Sequence, residues 1–175
     1  AIDLGSTTTV VAFQGENESS ITLIDLPPIS RVPGEVPSLL WKSTGKEPKY
    51  LFGNEITRLS PKEKVSPHLI SDFKRWIGVP ESKIPINFSL KPEKAGELLI
   101  KEIWGRVPPE LEIKKLVLSL PVDTYKEYRK WLHSVCSELD VEEIALVDEP
   151  TAAAIGAGQE GGSRILVIDI GGSTI

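Results

Sequence analysis

Two short segments of this chain join an aspartate to a run of small residues. Ile2-Asp3-Leu4-Gly5-Ser6-Thr7-Thr8 is echoed by Ile168-Asp169-Ile170-Gly171-Gly172-Ser173-Thr174. Each reads as an apolar strand, an aspartate at its end, then a Gly/Ser/Thr turn. Small residues let the backbone come close to an anion. Successive N–H groups in such a turn form an anion-binding nest. A carboxylate beside the turn suits a hydrated Mg²⁺, which keeps several waters and takes one or two carboxylates. Two such loops face to face would clamp a nucleotide's phosphates and metal. Either loop alone is as well read as a hairpin turn. Their recurrence favours phosphate binding.

Two further segments could contribute. In Asp148-Glu149-Pro150-Thr151-Ala152-Ala153-Ala154-Ile155-Gly156, Glu149 stands at a strand–helix junction, the rim where open α/β sheets bind ligands. Taken alone, it is better read as a helix-start carboxylate favoured by the dipole. Asp72-Phe73-Lys74-Arg75-Trp76-Ile77-Gly78 offers Lys74, a cation able to offset negative charge in phosphoryl transfer. Composition alone would make it half of a solvated basic pair.

The elements that must position these residues follow from patterning. Strands are expected over 1–4, 8–13 and 21–26, with a polar turn at 15–18 and Pro27 and Pro28 closing the meander. Prolines recur over 31–92, where 36–41 and 50–52 are strand candidates around a turn at 43–46. Leu69, Ile70, Phe73, Trp76 and Ile77 fall at helical spacing, predicting a helix over 69–77. This stretch reads as an inserted subdomain. Regular alternation then returns: helix 94–104, strand 116–120 stopped by Pro121, helix 124–139, strand 144–147, helix 151–155 opened by Pro150, and strand 165–170. On the 124–139 helix, Tyr125, Tyr128, Leu132, Val135, Cys136 and Leu139 form one stripe. Antiparallel strands followed by alternating units make an α/β protein with a mixed five-stranded sheet flanked by helices.

Composition narrows the function classes. The 175 residues are 40% hydrophobic and 26% charged, an ordinary globular balance. A net charge of -5 argues against a general grip on nucleic acid, which needs a basic surface. The single Cys136 allows neither an intrachain disulfide nor a CxxC metal site, and His68 and His133 are far apart. No apolar run approaches the roughly 18 residues of a membrane span. Residues 1–11 have no basic region and are interrupted by Asp3, unlike a signal peptide. The expectation is a cytoplasmic protein with neither nucleic-acid nor membrane partners. There is no methionine, so the sequence is expected to be trimmed or to omit residues. Trp41, Trp76, Trp104 and Trp131 read as core or lobe-packing residues, His68 and His133 as surface or capping groups, and Cys136 as a buried small hydrophobe.

Together the motifs resemble the nucleotide-binding domain of DnaK-type heat-shock chaperones, the 70-kDa class, in the actin/hexokinase ATPase superfamily. Residues 1–11 look like the family's first phosphate loop, and 71–78 like its Phe-Asp-Ala-Lys-Arg-Leu-Ile-Gly segment. Residues 116–121 look like its Thr-Val-Pro strand, 148–155 like its Asn-Glu-Pro-Thr-Ala-Ala-Ala-Ile, and 168–174 like its second phosphate loop, Asp-Leu-Gly-Gly-Gly-Thr. The order is the family's, and the motifs span almost the whole chain.

The resemblance implies an actin-like (ribonuclease H-like) lobe at 1–35 and 93–164, with a small α+β insertion at 36–92. Residues 165–175 would open a second lobe whose adenosine-binding residues lie outside this chain. The implied cofactors are ATP/ADP and Mg²⁺. Asp3 and Asp169 would hold metal-bound waters. Gly5, Ser6, Thr7 and Thr8 would bind phosphates, with Gly171, Gly172 and Ser173 wrapping them from the other side and Thr174 near the γ-phosphate. Lys74 would orient the attacking water and stabilise the transferring phosphoryl group, and Glu149 would be a metal-water and general-base candidate. Pro121 and Arg129 match the family's interdomain relay. Asp123 replaces a usual tyrosine beside that relay, and Ser173 a usual glycine.

Implied partners are unfolded client polypeptides bound by a further domain, a J-domain co-chaperone and a nucleotide exchange factor. Hydrolysis would close the lobes and control that peptide-binding domain. The segment alone is expected to bind ATP weakly and turn it over negligibly. A bacterial actin-like filament ATPase of the MreB type fits 149–158 and 169–172 nearly as well. An acceptor kinase and a binding-only relative are further alternatives.

Overall fold

The computed structural model describes residues 1–64, 67–85, 88–122, 125–159, 162 and 164–168, except the side chain of Tyr125. Its main sheet begins with β1 (Ile2–Asp3) and β2 (Thr8–Phe13), paired antiparallel with Ile2 opposite Val11. The β-branched run of β2 alternates: Thr9 and Val11 are buried while Val10 is exposed, as a pleated, half-covered strand requires. β3 (Thr22–Leu23) and β4 (Glu35–Pro37) share the other edge of β2. On the far side of β1 lie β8 (Lys115–Leu120) and then β9 (Glu143–Asp148), both parallel. Three antiparallel strands and a parallel trio thus make one six-stranded mixed sheet, one strand more than expected.

The extra strand is β4. The apolar run at 36–41 reads as a single strand, but it divides between two sheets. β4 pairs with β2, whereas β5 (Leu40–Lys42) joins β6 (Tyr50–Phe52) and β7 (Leu69–Ile70) in a separate antiparallel sheet. Ser38 and Leu39 form the break, and Leu39 N donates to Pro37 O at 2.7 Å.

The helix expected over 69–77 does not form. Leu69 and Ile70 pair with β5, Asp72 adopts φ 54°, and a 3₁₀ turn covers Lys74–Trp76. Ile70, Phe73 and Ile77 do turn inward. The periodicity therefore located three buried residues, with Leu69 and Trp76 half-buried, but not the backbone, because a strand partner captured its first two residues. The strand expected at 165–170 is absent over 164–168, which pairs with nothing among the described residues and leaves Leu166 and Ile168 exposed. Its last two residues lie outside those described.

The helices match the expectation more closely. α1 (Pro92–Arg106) starts on a proline, which suits the first helical position. It buries Ala95, Gly96, Leu99, Ile100 and Ile103, one apolar face at helical spacing. α2 (Tyr125–Cys136) buries Tyr128, Leu132, Val135 and Cys136, and α3 (Glu149–Gly156) follows β9 directly. A single apolar core runs through both sheets, from Ile2, Leu4 and Leu118 to Leu40, Phe52 and Ile70. Among the described residues, no helix is long and apolar enough to cross a membrane.

Gly96 marks the tightest helix contact. A Cβ there would lie 2.7 Å from the indole of Trp131, whose Nε1 donates to Glu93 O at 3.1 Å. Mid-helix Gly→Ala ordinarily stabilises by roughly 0.5–1 kcal/mol. Here the methyl must displace an anchored ring, so Gly96→Ala is expected to cost about 1–3 kcal/mol instead, read from urea unfolding. Burial pushes the Cys136 thiol up to about 11. It should therefore resist disulfide reagents at pH 8 in the folded protein and react fully in urea, and ready labelling without denaturant would contradict the packing of α2.

Candidate functional site

β1, β8 and β9 run parallel, so their C-terminal ends share one rim of the sheet. Asp3, Leu120 and Asp148 close these strands, which brings the first loop, Pro121 and Glu149 to the same edge. Asp3 is exposed, and its Oδ1 accepts a short hydrogen bond from Ser119 Oγ of β8. Ser119 is buried, so it fixes the carboxylate while leaving it open to solvent. Asp148 instead serves the fold: Oδ1 accepts from Thr151 N at 2.9 Å, capping α3. Hydrogen bonding from the Thr151 side chain, and then from its amide, holds the Asp148 carboxyl below its usual range.

The loop after Asp3 is tightly specified. A Cβ at Gly5 would lie 2.1 Å from Thr8 O, so no side chain fits. Gly5 N donates to Asp3 O at 3.1 Å, which spends one amide expected to face a phosphate. Ser38 fastens the outer side of the loop. Its Oγ donates to Gly5 O at 2.7 Å, its amide donates to Thr7 O at 2.9 Å, and its hydroxyl meets Thr9 Oγ1 at 2.9 Å. With these carbonyls held by Ser38, the amides of Ser6 and Thr7 donate to no protein acceptor among the described residues. Two unspent N–H groups in a tight turn fit an anionic ligand. Thr8 is half-buried in β2, opposite Pro37.

Lys74 and Glu149 meet although 75 residues separate them: Nζ lies 2.6 Å from Oε1. Their side chains are 11% and 23% exposed, so the pair is largely withdrawn from water. The 3₁₀ turn that carries Lys74 is rooted by Phe73 and Ile77, both fully buried. Gly78 N donates to Glu93 Oε1 of α1 at 3.1 Å, fixing the far end of the turn. Asp72, at φ 54°, pairs with Arg75 at 3.2 Å, and Arg75 stacks over Trp76 at 5.1 Å. A non-glycine residue in the left-handed region is uncommon and carries a conformational cost. The surrounding contacts therefore determine the turn.

No group of three or more His, Cys, Asp or Glu side chains that could hold a metal occurs among the described residues. Asp3, exposed and oriented by Ser119, fits a carboxylate that holds metal-bound water rather than the metal itself. Pro121 follows β8 at the rim, and Arg129 lies on the exposed side of α2. Asp169, Gly171, Gly172, Ser173 and Thr174, as well as Asp123, lie outside the described residues. Ser38 and Ser119 are the positioning residues that the sequence reading missed. Each is a lone serine in an apolar stretch, and only the strand pairings give it a role.

No family model matches the chain. It is similar over 99% of its length to the chaperone protein DnaK of Mycoplasmopsis synoviae (strain 53), at 25% identity over 178 residues. The chaperone protein DnaK of Mycoplasmopsis agalactiae is 24% identical over the same share of the chain. The chaperone protein HscA homolog of Shewanella putrefaciens is 28% identical over 195 residues. These weak homologues are chaperones of the 70-kDa heat-shock class, which agrees with the resemblance in the motifs. The chain spans 28% of the first two and 30% of the third.

Two stability measurements test the site's construction. Ser38→Ala removes the brace on Gly5 O and leaves the buried Thr9 hydroxyl without its partner, an expected loss of about 1–3 kcal/mol. Lys74→Met and Glu149→Gln should each destabilise, because each strands one withdrawn polar partner. Their combination should cost less than the sum, by about 0.5–3 kcal/mol. Additive losses in urea unfolding would contradict a direct pair.

Proposed function

We propose that this chain is the first lobe, at 1–35 and 93–164, of the ATP-binding and hydrolysing module of a chaperone-like protein. Residues 36–92 are its insertion, and residues 165–175 open the second lobe. One observation carries the reading: the Lys74–Glu149 pair, at 2.6 Å, accompanies the Asp3 loop at the C-terminal rim of the parallel strands. Similarity over 99% of this chain to DnaK and HscA chaperones, of which it spans 28–30%, supports it.

The chemistry assigned to the residues follows from their groups. Ser6 and Thr7 donate backbone N–H to phosphate oxygens, and Thr8, the next residue, adds a further donor. Asp3, steadied by Ser119, accepts from water. Lys74 places positive charge where the transferring phosphoryl group becomes more negative. Glu149, released by Lys74, orients the attacking water and accepts its proton. Magnesium, when bound, supplies charge compensation on the phosphates. Asp169, Gly171, Gly172, Ser173 and Thr174 complete the clamp from the second lobe.

The cycle closes the two lobes and sets the grip of a further domain on unfolded polypeptide, with Pro121 and Arg129 as the relay. A J-domain co-chaperone and an exchange factor regulate it, in the cytoplasm. Residues 1–175 alone carry both phosphate loops but only the first residues of the second lobe, and turn ATP over negligibly.

The test is steady-state ATP hydrolysis by the two-lobed protein with Mg²⁺ and no acceptor. Slow turnover is expected, lowered at least about 100-fold by Lys74→Ala, the usual scale for losing an electrostatic stabiliser. Turnover that needs an added acceptor, or that persists in Lys74→Ala, would overturn the reading.

A further inference from the structure

Thr9 places a hydroxyl at an inward position of β2. Val11, on the same face, is apolar, and so is Val36, opposite Thr9 on β4. Thr9 is 0% and Ser38 1% exposed, and their side-chain oxygens lie 2.9 Å apart. A valine would fill the Thr9 site with no hydroxyl to satisfy, and an unpaired buried hydroxyl costs about 1–3 kcal/mol. The polar pair therefore calls for an account beyond packing.

The direction of the contact follows from counting protons. Ser38 Oγ lies 2.7 Å from Gly5 O, and a carbonyl only accepts. A serine hydroxyl has one proton, so Ser38 spends it on Gly5. Thr9 Oγ1 is then the donor to Ser38 Oγ. The chain runs one way, from the Thr9 O–H through the Ser38 O–H to the Gly5 carbonyl.

That carbonyl belongs to the same peptide unit as the Ser6 N–H. The unit is planar and trans, so its C=O and N–H point in opposite directions. Holding Gly5 O toward Ser38 turns the Ser6 N–H away from the break between β4 and β5. Hydrogen bonds in series polarise one another, by roughly 10–30% per bond. Two donors in line behind the carbonyl therefore make the Ser6 N–H a stronger donor. It is also one of the two loop amides with no protein acceptor among the described residues. Such strengthening counts most toward an ionised acceptor. Resting on the nucleotide reading above, we infer that Thr9 is a positioning residue that, through Ser38, aims and polarises the Ser6 amide as a donor to a phosphate oxygen. No proton is transferred along the chain.

The experiment compares Thr9→Val, which keeps the branched shape, with Thr9→Ser, which keeps the hydroxyl. Both are made in the two-lobed protein and titrated with Mg-ATP. The Ser6 amide proton is followed by NMR in the ligand-free proteins. Thr9→Val should move that resonance upfield and weaken Mg-ATP binding about threefold, the scale of lost cooperative strengthening in a charge-assisted bond. Thr9→Ser should keep both the resonance position and the affinity. Ser38→Ala cuts the chain at its second link and also releases Gly5 O, so it should weaken binding more than Thr9→Val does. In that background Thr9→Val should cost no further affinity.

An unmoved Ser6 resonance or an unchanged affinity in Thr9→Val would overturn the inference while leaving the nucleotide reading intact. So would equal losses in Thr9→Val and Thr9→Ser, which mark a merely structural residue, or an undiminished loss from Thr9→Val in the Ser38→Ala background. Absence of Mg-ATP binding by the unsubstituted protein would overturn both.

Discussion

An ammonium and a carboxylate 2.6 Å apart, both mostly withdrawn from water, link the 3₁₀ turn at Lys74–Trp76 to the start of α3 after β9. Lys74 comes from a 3₁₀ turn beyond the second sheet, and Glu149 from the first residue of α3. A pair so placed costs desolvation on both sides, and such pairs are often no more stabilising than apolar residues of the same shape. Its value here lies in specificity of position. The turn can satisfy the lysine only where the rim places Glu149, so the pair aligns the two parts of the site. The same pair makes the lysine available for exchange with a competing anion, because a phosphate offers the ammonium equivalent partners.

The remaining architecture supports that arrangement with small, buried hydroxyls. Ser119 holds Asp3 from the neighbouring strand, and Ser38 holds the loop carbonyls from the break between β4 and β5. Both act on groups that would otherwise be free to rotate. Each also ties the site to a long-range strand pairing, so loop geometry depends on correct assembly of the whole sheet. Gly5 and Gly96 serve the same end by absence of a side chain: one lets the backbone turn on itself, and the other lets α1 close on Trp131.

Much of this was legible in the sequence, for physical reasons that also explain what was not. The strand–helix alternation after Pro92 placed α1, β8, α2, β9 and α3 to within a few residues, because the apolar stripes of α1 and α2, the short apolar runs of β8 and β9, and the prolines at 121 and 150 are undisturbed local signals. The loop after Asp3 was marked by its small residues. Lys74 and Glu149 were each singled out by local context, yet nothing in either segment signals that they touch. The failures came where tertiary pairing overrode a local pattern. Leu69 and Ile70 have helical spacing with Phe73 and Ile77 but were drawn into a strand by β5, and the apolar run at 36–41 was shared between two sheets. The roles of Ser38 and Ser119 could not be read at all, since each arises from a neighbour more than 30 residues away.

The central claim is that the rim bearing Asp3, Ser6, Thr7, Lys74 and Glu149 is where a nucleotide's phosphates bind. The most direct measurement is a crystal structure of the two-lobed protein with Mg²⁺ and a non-hydrolysable ATP analogue. The account predicts phosphate oxygens on the Ser6 and Thr7 amides, with Lys74 Nζ moved from Glu149 to the phosphates. A nucleotide bound elsewhere, or bound at the rim with the Lys74–Glu149 contact intact, would contradict it.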